Sequence, residues 1–262
     1  MTNLVRQEAA EYTADQLLSL MGQRANVRAA EGAGTTTLSS ADNKWQIFNL
    51  SAARTAVLPS ANIKSGDTYR IENRGGFVLS FQSSDLTALT AANTGSGGVG
   101  DPTISRGYAT LVALQDIPTA ASHWKVSEVT DEGSWSTTFT FNSAGSTTTA
   151  KTIQYFRNNR FVTVVLLLGT NIETTSGAAS TRFSANTSMP IQIRPPTTNP
   201  IMFCMITNAG VTSNSVGCLG IDTAGIITAK RDPTGSAWSA TSLCGLTSGT
   251  LGNDLQFTYC LQ

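Results

Sequence analysis

The chain reads as an all-β protein: a short N-terminal helix, a small β module, then a jelly-roll-like β-sandwich. Three observations predict this class. Runs of roughly four to eight residues alternate apolar and polar side chains, the two-residue period of a half-buried strand. Clusters of Gly, Asn, Asp and Pro punctuate those runs. Only one window, at the N-terminus, follows a helical period. Composition agrees, because 40% hydrophobic residues argue against a disordered chain. Charged residues make up only 13%, against about a quarter in ordinary globular proteins.

The helical window covers residues 3–29, where Ala10, Ala14, Leu17 and Met21 follow 4-3-4 spacing. That is the seam of a coiled coil, flanked by Glu11, Asp15 and Arg24. Gly22 weakens its end and Gly32 to Gly34 stop it. Residues 1–31 are therefore a short multichain bundle or docking peptide, or an amphipathic helix packed on its own domain.

Residues 32–132 form the small β module. Its strands are expected at Trp45–Leu50, Arg54–Leu58, Thr68–Glu72, Phe77–Gln82, Tyr108–Leu114 and His123–Val129. Tyr69 and Ile71 alternate with Arg70 and Glu72, and Phe77, Leu79 and Phe81 repeat the period after Asn73-Arg74-Gly75-Gly76. This predicts a hairpin closed by a glycine turn. No long β-helical shaft and no sequence repeat stands out. The glycine-rich stretch from Asn93 to Gly100 reads as a surface loop.

Asp131-Glu132-Gly133-Ser134 marks a boundary, beyond which Thr and Ser become more frequent. Residues 133–262 form the sandwich. Strands are expected at Trp135–Phe141, Thr152–Phe156, Arg160–Leu168, Ile191–Ile193, Ile201–Thr207, Val216–Ile221, Ile226–Ala229 and Leu255–Leu261. Arg157-Asn158-Asn159-Arg160 and Asp222 to Gly225 read as hairpin turns. Val162 to Leu168 is apolar on both faces, which predicts a central strand or one covered by another chain.

Charge and cysteine narrow the function classes. Seventeen basic and seventeen acidic residues balance, so nothing favours nucleic acid or an acidic membrane as partner. No apolar run is long enough to read as a membrane span, and the polar N-terminus does not read as a signal peptide. Cys204, Cys218, Cys244 and Cys260 contain no Cys-x-x-Cys pair and are expected as buried free thiols. With His123 the single histidine, no metal site and no cofactor is expected.

Catalytic patterns are missing from this reading, and no enzyme activity is expected. No G-x-S-x-G elbow accompanies His123, which reads as structural or solvent-facing. Gly95 to Gly100 lacks the Gly-Lys-Ser/Thr of a phosphate loop. Glu173, Asp222, Asp232 and Asp254 lie on predicted turns or loops, where acids serve backbone hydrogen bonds unless two of them converge. Recognition loops are the stronger candidates. Lys230, Arg231 and Asp232 lead into a polar loop carrying Trp238, and Asn171 to Asn186, with Arg182, forms a second. Sugars offer C–H faces to an aromatic ring and hydroxyls to Asp, Asn and Arg. The alternative for Trp238 is packing on its own sandwich.

Several ordered segments resemble tailed-bacteriophage tail fibres. Ala56-Val57-Leu58-Pro59-Ser60, Gly66 to Asn73, the glycine turn, Phe77 to Phe81 and His123-Trp124-Lys125-Val126 resemble a small β module of those fibres. Tyr155-Phe156-Arg157 with Arg160-Phe161-Val162, Pro190 to Pro196, Leu219 to Ile227 and Phe257-Thr258-Tyr259 resemble their C-terminal heads. The resemblance implies a virion-borne homotrimer, joined to a tail or baseplate protein at its N-terminus. It further implies that the head attaches to a host-surface glycan or outer-membrane protein. Similar heads occur in bacterial adhesive fibres, and a polysaccharide-cleaving tail spike or a structural adaptor are the alternatives.

Overall fold

The computed structural model describes residues 25–95, 98–143, 145–166, 171–174, 179–195, 202–208, 211–234, 236–239, 244–247 and 255–261. The expected seam of Ala10, Ala14, Leu17 and Met21 lies outside the described residues. The chain divides into two compact units, Met1–Asp131 and Glu132–Gln262. The described residues are essentially all-β, with two single-turn 3-10 segments and no α-helix.

The first unit contains β1 (Asn26–Glu31), β2 (Gly34–Thr37), β3 (Trp45–Leu50), β4 (Arg54–Val57), β5 (Thr68–Asn73), β6 (Leu79–Gln82), β7 (Gly107–Ala113) and the start of β8 (Trp124–Thr137). Strands β1, β3 and β5 stack in parallel, and so do β2, β4 and β6 in a second sheet. The chain thus winds through three rungs of a short two-sheet β-solenoid, alternating between its walls. Asn26 pairs with Gln46 and Gln46 with Ile71, so the rungs recur after twenty and then twenty-five residues. Antiparallel β7 and β8 continue the first wall beyond β5. Phe48, Tyr69, Ile71, Leu111 and Trp124 from this wall meet Ala56, Leu79 and Phe81 from the other in one buried core.

Two sequence expectations are corrected here. Asn26–Glu31, at the end of the expected helical segment 1–31, is the first rung, because its backbone pairs with β3 and polar side chains from it join a network. Asn26 Nδ2 and Arg28 Nε donate to Gln46 Oε1 at 3.3 and 3.0 Å. Arg54 Nε lies 2.7 Å from Glu31 Oε2, which also accepts from Thr36 Oγ1. The expected hairpin is the second correction. Strands β5 and β6 belong to different sheets, and the glycine segment turns a corner between them. Asn73 sets that corner by donating Nδ2 to the Phe77 and Ser105 carbonyls and accepting Gly75 N–H at 3.0 Å. A side chain at Gly75 would fall on the backbone of Leu50.

The second unit adds β9 (Phe139–Phe141), β10 (Lys151–Asn158), β11 (Phe161–Val165), β12 (Ile172–Thr174), β13 (Phe183–Ala185), β14 (Met202–Asn208), β15 (Val211–Ile221), β16 (Ile227–Lys230), β17 (Cys244–Leu246) and β18 (Gln256–Cys260). One sheet runs from the end of β8 through β10 and β11 to β18, and the other runs β12-β17-β14-β15-β16-β13-β9. Ile153, Tyr155, Val162, Val164 and Phe257 from the first face Phe139, Phe183, Ile206, Leu219 and Ala229 from the second. This is a β-sandwich core.

Strand β11 is central, with β10 on one side and β18 on the other. The β10–β11 hairpin turns at Asn159 with φ 55°, and β15–β16 turns at Gly225 with φ +79°. Expected strand Ile191–Ile193 is instead a 3-10 turn between Pro190 and Pro195, as proline deprives the backbone of ladder donors. All four cysteines are free, three of them buried and Cys260 exposed.

Candidate functional site

The site is built on β9, β13 and β16, three neighbouring strands at one edge of the seven-stranded sheet. Phe183 pairs with both Phe141 and Ala229, and all three side chains are buried. Strand alternation therefore turns the flanking residues outward. Arg182 immediately precedes Phe183 and Lys230 immediately follows Ala229, so the two lie side by side at the same end of adjacent strands. Both are exposed.

Backbone hydrogen bonds hold the surrounding loops. Asn142 Oδ1 accepts from Thr181 N and Arg182 N at 3.0 and 3.2 Å, and Asn142 N donates to the Arg182 carbonyl at 3.2 Å. Ser143 N donates to Ser180 Oγ at 3.0 Å, and Trp238 N donates to the Ser180 carbonyl at 2.9 Å. Asn208 Oδ1 accepts Ser239 N at 2.8 Å. Asn142 and Ser180 thus join the segments bearing Arg182 and Trp238. They were missed in the sequence, where the one available signal was an asparagine directly after the Trp135–Phe141 strand.

Asp232 organises the turn after β16. Its Oδ1 accepts Thr234 Oγ1 at 2.7 Å and Ser236 N at 3.0 Å, while Oδ2 lies 3.3 Å from the Arg231 guanidinium. The Thr234 hydroxyl, the Ser236 hydroxyl and N–H, and Arg231 hold this carboxyl well below the usual range. Asp232 and Arg231 are thereby committed to each other. Beyond them the outward face carries small polar groups. Ser184 Oγ lies 3.2 Å from Thr228 Oγ1, and Asn186 Nδ2 donates to Thr138 Oγ1 and Thr140 Oγ1 at 2.6 and 2.7 Å.

Of the six candidate binding residues, the structure groups Lys230, Arg231, Asp232, Arg182 and the Trp238 segment. Asn171 stands apart, preceding edge strand β12, with β17, β14 and β15 between β12 and β16. Its Oδ1 accepts Thr247 Oγ1 at 2.9 Å. Trp238, a candidate sugar contact with packing on its own sandwich as the other reading, takes the packed position and is a core residue. It is 2% exposed, with its ring 5.4 Å from Phe141 and 6.4 Å from Phe183. Burying so large an aromatic surface outweighs leaving it in water.

No protein-family model matches the chain, and no curated protein matches it. Among solved structures, it is similar to the reovirus attachment protein sigma1, determined in complex with alpha-2,3-sialyllactose. That likeness has 12% identity and a TM-score of 0.34, over 56% of this chain and 74% of the other.

The other chemical candidates have structural positions. His123 Nδ1 accepts Thr119 N and Ala120 N at 3.2 and 3.1 Å and so caps a 3-10 turn. Asp222 shapes the β15–β16 turn by accepting Ile226 N at 2.8 Å, at the opposite end of β16 from Asp232. Glu173 lies on the far edge strand β12. These three acids do not converge; Asp254 is outside the described residues. Among the described residues no three His, Cys, Asp or Glu side chains group into a metal site.

Proposed function

We propose that the chain is a viral attachment protein, in its finer form a bacteriophage tail fibre. It would bind a host-surface glycan through the second unit without cleaving it. The supporting observation is the exposed Arg182–Lys230 pair, carried on strand ends and surrounded by loops tied together through Asn142 and Ser180. A rigid sheet fixes the backbone of recognition residues in advance, so only their side chains have to be ordered on binding. The ordered resemblance to tail-fibre segments supports the viral assignment. In this reading three copies assemble into the virion's fibre, and the N-terminal segment meets a tail or baseplate protein. Three weak sites then act together, a gain on the order of a hundredfold when geometry allows.

The test is binding of fluorescently labelled, full-length protein to a panel of bacterial strains, beside sedimentation and a reducing-end assay on their surface polysaccharides. Saturable binding to some strains, a trimer, and no sustained sugar release are expected. Sustained release would make the protein a depolymerase. A protein that binds no strain would fit an adaptor and overturn the attachment reading.

A further inference from the structure

We infer that the outward face around Arg182 and Lys230 takes an anionic polysaccharide, bound by its carboxylate or phosphate groups. This rests on the attachment reading and specifies its ligand class. The Phe183–Ala229 pair fixes the register, and one step beyond it Lys230 ends β16 while Arg182 immediately precedes β13. Side chains opposite each other on adjacent strands are about 5 Å apart at Cβ, and like charges there repel. Neither cation has an ion pair among the described residues. Asp232 is the nearest acid in sequence, and Arg231, Thr234 and Ser236 already engage it. The repulsion between Arg182 and Lys230 is therefore left for a bound anion to relieve. Arginine's planar fork suits carboxylate and phosphate alike, and the ammonium adds a second point of charge.

The rest of the face indicates a saccharide over an acidic protein. Protein interfaces concentrate affinity in large apolar or aromatic anchors. Here the exposed large hydrophobics among the described residues of the second unit, Phe156, Phe161 and Ile191, all lie on other elements. The neighbours of the pair are Thr140, Ser184, Thr228, Thr181 and Asn142, hydroxyl and amide groups that exchange hydrogen bonds with sugar hydroxyls.

The experiment measures binding of full-length protein to immobilised polygalacturonate, phosphomannan and neutral dextran, alongside binding to cells. Wild type should bind at least one charged polymer and not dextran; the charged polymer preferred identifies carboxylate or phosphate. Arg182→Glu/Lys230→Glu should lose about tenfold or more on that polymer, and raising salt should weaken wild type in the same direction. Lys125→Glu/Lys151→Glu changes net charge equally at other positions and should keep its binding. Arg182→Gln/Lys230→Gln guards against misfolding: it should show the wild-type melting profile and an intermediate loss. Equal binding by wild type and the Arg182/Lys230 reversal overturns the inference, as does equal loss in the control pair. Binding to cells that survives the reversal leaves attachment standing and removes only this site. Charged-polymer binding without cell binding removes the attachment reading and keeps the site's preference.

Discussion

Trp238 shows how a single residue's chemistry depends on its surroundings. Its ring completes a cluster in which Phe183 lies 5.3 Å from Phe139 and 4.7 Å from Phe141. Trp238→Ala should therefore destabilise the second unit by about 3–5 kcal/mol, the cost of emptying a large aromatic site. Urea denaturation checks this, and a variant as stable as wild type would show that the ring is dispensable. Titratable residues add a pH dependence at each extreme. The Ser83 hydroxyl holds Asp85 below the ordinary carboxyl range, and the Ser65 N–H does the same for Asp116. Burial works against the Asp67 carboxylate, but Lys44 and the Lys64 N–H outweigh it. These folded-state values lie below an unfolded value of about 3.9, so the stabilisation is complete above that pH and fades as pH falls through them. At the alkaline end, burial raises Tyr69 and Cys204 each to about 12. Their stabilisation is complete below the unfolded values, about 8.5 for Cys and 10 for Tyr, and is lost as pH rises toward the folded values. Thermal melts from pH 2 to 11 should thus fall at both ends, and a flat acid limb would contradict the carboxylate assignments.

At the scale of elements, the first rung is held by polar contacts. Arg54 donates to Thr36 Oγ1 and the Gly32 carbonyl, both at 2.6 Å, besides pairing with Glu31. Arg54→Ala should remove charge-assisted bonds each worth about 1.5–3 kcal/mol at most. Hydrogen exchange should show β1 and β2 losing protection before β3 and β4; uniform loss would mean that the rungs are not separately stabilised. Strands with long alternating runs were legible in the sequence, and Trp45–Leu50 has the expected bounds. Alternation fixes which face a residue takes, but it does not name the neighbouring strand. Trp45–Leu50 buries Gln46, Ile47 and Phe48 in succession whereas Thr68–Asn73 alternates, so their parallel pairing across twenty-five residues left no visible repeat. Strands β12, β13 and β17 have three residues each, too few for a period to show. The candidate loops were legible as polar segments. Their grouping was not, because it depends on Thr181 bonding Asn142 and Ser143 bonding Ser180, across 39 and 37 positions of chain.

For the whole molecule, each unit encloses its own hydrophobic core. Two cooperative unfolding transitions are therefore expected in scanning calorimetry. Trp238→Ala should shift one of them and Arg54→Ala the other; a single transition moved by both would mean that the cores melt as one. The solenoid has a further consequence for reach. Its rungs meet by parallel strand pairing, at about 4.8 Å per step. Duplicating or deleting one turn of twenty to twenty-five residues would change the length of that unit in fixed increments while reusing the same interior contacts. The first unit is in this sense a ruler graduated in strands.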